Sequence, residues 1–180
     1  MTQVASANGR RAAPPLDSKS LERLALRYVE RFATTKARLT DYLTRKIRER
    51  GWEGDRVDPA AIAERMAGLG YVDDRSYAEA KAAAMARRGL GARRVAGMLR
   101  QAGVGGEDAE AVAPAVEDRA IEAAITFARR RRIGPFADQP ADRPTREKHI
   151  AAMLRGGHSP TLSRRIATMA PGDDFDGLDG

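Results

Sequence analysis

The chain has 180 residues and no cysteine, which excludes disulfides, thiolate metal sites and a cysteine nucleophile. Aromatic residues are only 5% of it while alanine and arginine abound, a mix that favours helices over a large sheet core. The net charge of +7 comes in blocks: residues 76–104 carry six basic groups and one acidic (+5), and residues 105–118 carry five acidic and no basic groups (−5). Clustered cations suit a polyanionic partner, because they displace condensed counterions from nucleic acid. A solvated arginine-rich surface explains any single arginine equally well, since net charge bears on association and not on fold.

Residues 1–17 are polar, contain Pro14-Pro15 and are expected to form a disordered tail. The opening twenty residues lack an apolar stretch like that of a signal peptide, and no window approaches ~20 apolar residues, so no membrane contact and a cytoplasmic location are expected. A first helix is predicted near 20–33, with Leu21, Leu24, Ala25, Tyr28, Val29 and Phe32 on one face at helical spacing. Thr34 or Thr35 caps a second, whose inward residues are Leu39, Tyr42, Leu43 and Ile47 and which ends at Gly51. Asp58-Pro59 opens a third as cap and first-turn proline; Ile62, Met66 and Leu69 face inward and Gly70 stops it.

Three helices follow near 75–88, 92–102 and 107–117. Their expected inward residues are Tyr77, Ala80 and Ala84; Val95, Met98, Leu99 and Ala102; and Ala109, Val112, Ala113 and Val116. Pro114 lacks an amide donor and predicts a short or kinked helix. The last three lie near 118–132, 145–155 and 160–169, using Ile121, Ala124, Ile125 and Ala128; Ile150, Met153 and Leu154; and Leu162, Ile166 and Met169. The proline-rich stretch 133–144 reads as a long loop and the most mobile part of the body. Residues 171–180, with four aspartates and three glycines, read as a loose acidic tail.

An internal repeat groups these helices in threes. Val95-Ala96-Gly97-Met98-Leu99-Arg100 matches Ile150-Ala151-Ala152-Met153-Leu154-Arg155 at four of six positions. The helix exits at Gly51, Gly103 and Gly157 are 52 and 54 residues apart, a period typical of stacked supersecondary units, although the third exit is off by one residue against the helix match. The fold class expected is therefore all-α: three tandem three-helix repeats over 18–70, 71–117 and 118–170, forming an elongated, curved body.

Gly70-Tyr71-Val72-Asp73-Asp74-Arg75-Ser76-Tyr77-Ala78 resembles the hallmark between the first two repeats of the RecX regulatory family. Arg88-Gly89-Leu90-Gly91-Ala92-Arg93-Arg94-Val95, continuing to Val104, resembles the second-repeat hallmark, and Ala25-Leu26-Arg27-Tyr28 the opening helix. The third unit departs from the pattern: Gly156-Gly157-His158 stands where Arg-Gly-Phe is usual. The resemblance spans about residues 20–170. It implies a protein that lies in the groove of the RecA filament on single-stranded DNA and, by bridging protomers, impedes filament growth, strand exchange, ATP turnover and repressor cleavage. It also implies a monomer.

No enzyme site is expected. Asp73 and Asp74 are two adjacent carboxylates, too few for a hard cation, and read as a helix cap with Tyr71 and Tyr77 as a hydrophobic staple. His149 and His158 lack zinc-enzyme spacing; His158 reads as packing or surface. No cofactor is expected, for there is neither a nucleophile elbow nor a phosphate loop. The binding candidates are basic helix ends that recur in the repeats: Arg45, Lys46, Arg48 and Arg50; Arg87, Arg88, Arg93, Arg94 and Arg100; Arg129, Arg130, Arg131 and Arg132; and Arg164 and Arg165. They would meet a RecA filament or its DNA. The alternative is a helix-turn-helix DNA-binding protein acting without RecA, with Ala92 to Ala102 as recognition helix and weak non-specific affinity.

Overall fold

The structure is a computed structural model and describes residues 13–175 and 178. Among them are nine α-helices and no strand. They are α1 (Ser18–Arg31), α2 (Lys36–Arg50), α3 (Pro59–Gly68), α4 (Asp74–Arg87), α5 (Ala92–Gln101), α6 (Gly106–Glu117), α7 (Ala120–Arg131), α8 (Arg143–Gly156) and α9 (Pro160–Thr168). None is long and apolar enough to cross a membrane.

Local chemistry sets the helix starts. Of the two threonines it is Thr35 that caps α2, its hydroxyl accepting from the Arg38 amide. Asp58 caps α3 with Pro59 in the first turn, and Asp73 caps α4 by accepting from the Ser76 amide. Each such cap is worth ~1 kcal/mol. The one-residue slip in the repeat has a simple cause: the left-handed glycine is itself the cap of α8, at Gly157, whereas α5 is capped by Ala102 and its left-handed Gly103 follows.

Helices associate in threes around separate apolar clusters. The first is built on Leu21, Ala25, Leu39, Leu43, Ile62 and Met66, the second on Ala78, Ala82, Met85, Val95, Leu99 and Val112. The third is built on Ala124, Ala128, Ile133, Met153, Leu162 and Ile166. The second cluster lies between the others: Thr35 bonds to Ala102 and Asp74 to the Lys36 amide across the first junction, and α4 packs on α7 across the second.

Several expectations need correction. The first cluster reaches back to Leu16, fully buried and bridged to Trp52, so the tail expected over 1–17 does not include it; residues 1–12 lie outside the described residues. The acidic segment is not loose where it is described: Phe175 packs 5.5 Å from the Phe136 ring and Leu178 is buried in the third cluster. The stretch 133–144 begins as core, with Ile133 buried and a 3-10 turn over Gly134–Phe136 lying on α9.

α4 turns Ala78, Ala82 and Met85 inward rather than Ala80 and Ala84, because an alanine-rich helix has little pattern to fix its face. Phe32, Leu69 and Leu154, expected to face inward, are exposed near the ends of their helices. α6 runs unbroken through Pro114, which is exposed, so the carbonyl it leaves unpaired can be solvated. Tyr71 is half exposed; the residue before the Asp73 cap is Val72, buried in the first cluster, so no tyrosine staple forms.

Candidate functional site

The expected basic residues divide by what already engages them. At the end of α7 every guanidinium is occupied. Arg129 lies over the Phe136 ring, Arg131 over Phe127, Arg130 donates to the Arg88 carbonyl and Arg132 pairs with Asp138. At the end of α2, Arg45 and Lys46 both pair with Glu49 and both lie over Tyr42, and Lys46 holds the Glu49 carboxyl below the usual carboxylate range. Arg50 forks onto the Pro14 carbonyl, tying the segment before α1 to the first unit. Arg165 donates to the Leu178 carbonyl. These groups serve the fold first. Arg48, Arg87, Arg88 and Arg164 are exposed and dispersed.

Arg93, Arg94 and Arg100 behave differently. With Arg155 of α8 they line one cleft of about 370 Å³, whose remaining walls are Ala96, Leu154 and Gly157. Among the described residues none of these four guanidinium groups has an ion-pair or hydrogen-bond partner. All four are exposed, and no carboxylate lines the cleft.

The backbone builds this cleft. α5 has no side-chain cap: Gly91 stands at its start. The carbonyls at the end of α8 take that role. Gly156 accepts from the Gly91 amide at 2.9 Å and Gly157 from the Arg93 amide at 3.1 Å. The negative end of one helix thus abuts the positive end of the other. The approach requires glycine on both sides. A Cβ at Gly91 would strike the Gly157 carbonyl, and one at Gly157 would strike the Arg94 amide. Since α5 and α8 are repeat-related helices set end to end, their matched arginines, Arg100 and Arg155, reach one cleft. Arg155 was absent from the expected set, although the six-residue match that ends on it was the available signal.

Two buried polar residues hold the neighbouring junctions. His158 is 2% exposed; its Nε2 lies 3.1 Å from the Gly89 carbonyl and its ring stands edge-on to Phe127. A carbonyl only accepts, so Nε2 carries the proton. Burial pushes the imidazole below its ordinary pKa, opposed by the Gly89 bond. Asp73 and Asp74 part company. Asp73 caps α4 and is held below the carboxylate range by its bonds to Ser76. Asp74, 7% exposed, accepts from the Lys36 amide at the start of α2 in the first unit. Burial raises its pKa, against the lowering effect of that bond.

A curated regulatory protein RecX from Myxococcus xanthus is 33% identical over 163 residues, covering 84% of this chain and 86% of the relative. The chain belongs to the RecX family. A second regulatory protein RecX, from Agrobacterium fabrum, is 29% identical over 149 residues, covering 81% of this chain and 80% of the relative. The family model described as "RecX, second three-helix domain" matches residues 73–112, which are α4, α5 and half of α6. The crystal structure of RecX from Lactobacillus salivarius superposes with a TM-score of 0.63 at 20% identity, covering 82% of this chain and 92% of that one. It supports the all-helical RecX fold. The stretch matched by the family model includes Gly91, Arg93, Arg94 and Arg100, so one wall of the arginine cleft lies within it.

Proposed function

We propose that this RecX-family chain is a non-catalytic regulator that binds the RecA filament on single-stranded DNA and restrains its recombinase, ATPase and coprotease activities, acting in the cytoplasm as a monomer without a cofactor. The relatives' naming as regulatory proteins supports this reading. The observation that carries it is the cleft of four unpaired arginines at the junction of the second and third units, a feature built for an anionic assembly and with no internal use. A row of three units suits a filament, because several weak contacts along one body add through effective concentration. Assembled filament is therefore preferred over free RecA.

The helix-turn-helix alternative needs the first turn of α5 to enter a groove and touch base edges. That turn is packed on Gly156 and Gly157, which weighs against it.

The test is ATP hydrolysis by the cognate RecA on single-stranded DNA with this chain titrated in. A fall at amounts well below one molecule per RecA supports filament binding. No effect at an excess of folded protein overturns it.

A further inference from the structure

We infer that the cleft between α5 and α8 grips the phosphodiester backbone of a nucleic acid directly, so that within the filament this face contacts DNA and not RecA; the setting of that contact rests on the regulator reading above. Four features carry the inference. The cleft offers guanidinium groups and almost nothing else. Planar forks match phosphate oxygens, whereas Ala96, Leu154 and Gly157 supply no side-chain hydrogen bond and no deep apolar pocket to hold a peptide residue. No aromatic ring lines it, so bases have no stacking platform and the contact is to backbone, indifferent to sequence.

The positive charge also lacks internal compensation, unlike every arginine at the end of α7, so a polyanion gains the full release of counterions on entering. Finally, the site is not a helix terminus binding an anion by its amides. Those of Arg93, Arg94 and Val95 already donate to Gly157, Gly91 and Gly91. The walls come from two units, Arg93, Arg94 and Arg100 from the second and Arg155 from the third. A run of phosphates held there ties the two units together.

The experiment uses the full chain without RecA and a fluorescently labelled oligothymidylate, with binding followed by anisotropy across a salt series. Arg94→Ala, Arg100→Ala and Arg155→Ala are each expected to reduce the slope of log affinity against log salt by about 0.7, and the triple variant by about 2. Arg155→Lys should keep the slope, because it keeps the charge. Arg45→Ala, whose group is held by Glu49, should leave the slope unchanged.

A triple variant that is folded by circular dichroism but keeps the wild-type slope overturns the inference. So does polyglutamate that displaces the oligonucleotide as well, charge for charge, as unlabelled oligothymidylate does. The two readings fail separately. If wild type slows RecA ATP turnover while the triple variant keeps its DNA slope, the cleft assignment is overturned and the regulator reading stands. If wild type is inert on RecA while the triple variant loses the slope, the regulator reading is overturned and the cleft assignment stands.

Discussion

The two junctions between units are built from opposite materials. The first to the second is joined by side chains. The Thr35 hydroxyl donates to the Ala102 carbonyl, Asp74 accepts from the Lys36 amide, and Arg38 donates to the Tyr77 hydroxyl while lying over its ring. The second to the third is joined by backbone, through the Gly91 and Arg93 amides on the Gly156 and Gly157 carbonyls, with α4 packed on α7 and His158 sealed against Gly89. The first joint rests mainly on side-chain bonds, with one glycine approach where Gly103 meets Ala37, and the second mainly on glycines that let backbone meet backbone, with His158 beside them. Deletions should therefore weaken the first, and additions should break the second.

The largest effect is expected at the backbone joint. Gly157 has φ +93°, where a side chain is strained, and its Cβ would strike Arg94. Gly157→Val should cost about 2–5 kcal/mol, combining the left-handed penalty with overpacking that backbone cannot relieve. Urea unfolding by circular dichroism measures the loss. Trp52, the one tryptophan, packs on the first cluster and reports that unit locally. Its fluorescence transition should move less than the circular dichroism transition; an equal shift would mean the row unfolds as one block. At the side-chain joint, Thr35→Ala should cost about 1–2 kcal/mol, for it removes both the α2 cap and the bond to Ala102. Here the Trp52 transition should move with the rest or ahead of it.

The same contrast explains how much of the fold is legible in the sequence. Caps at Thr35, Asp58 and Asp73 are short-range chemistry, and so are the amphipathic faces of α2, α5 and α9. The hallmark glycines around residue 91 were visible as a motif, but their reason is the third unit's chain passing within contact distance. The basic residues are visible as a set of fifteen candidates, and no local signal sorts them. The Arg130 partner is 42 residues away and the Arg50 partner 36. Leu16, Phe175 and Leu178 fall in proline- or aspartate-rich segments, where polar composition hides a single anchoring side chain. The face of α4 is not legible, because alanine fills both sides of it.

The smallest effect, and the one that sharpens the comparison most, is the pH response of His158. Its folded pKa lies below the ordinary 6.5 because burial disfavours the imidazolium. A depressed histidine contributes stability that is present above the unfolded pKa and lost as pH falls through the folded one. Acid should thus loosen the backbone joint. Arg93, Arg165 and Glu117 line the adjoining space. The urea midpoint by circular dichroism should fall as pH is lowered from about 8 to about 5.5, with part of that fall due to His158. His158→Phe keeps an aromatic edge toward Phe127 and removes the titrating group. It should flatten that part of the dependence while sacrificing one hydrogen bond, worth about 1 kcal/mol, to Gly89. The Trp52 transition, set by the side-chain joint, should keep its own pH profile in both proteins. An unchanged circular dichroism profile in the variant would show that acid acts elsewhere. Asp74 could not be that source, because its raised pKa gives the opposite sign: its burial favours the folded state below the ordinary carboxylate pKa and costs stability as it ionises.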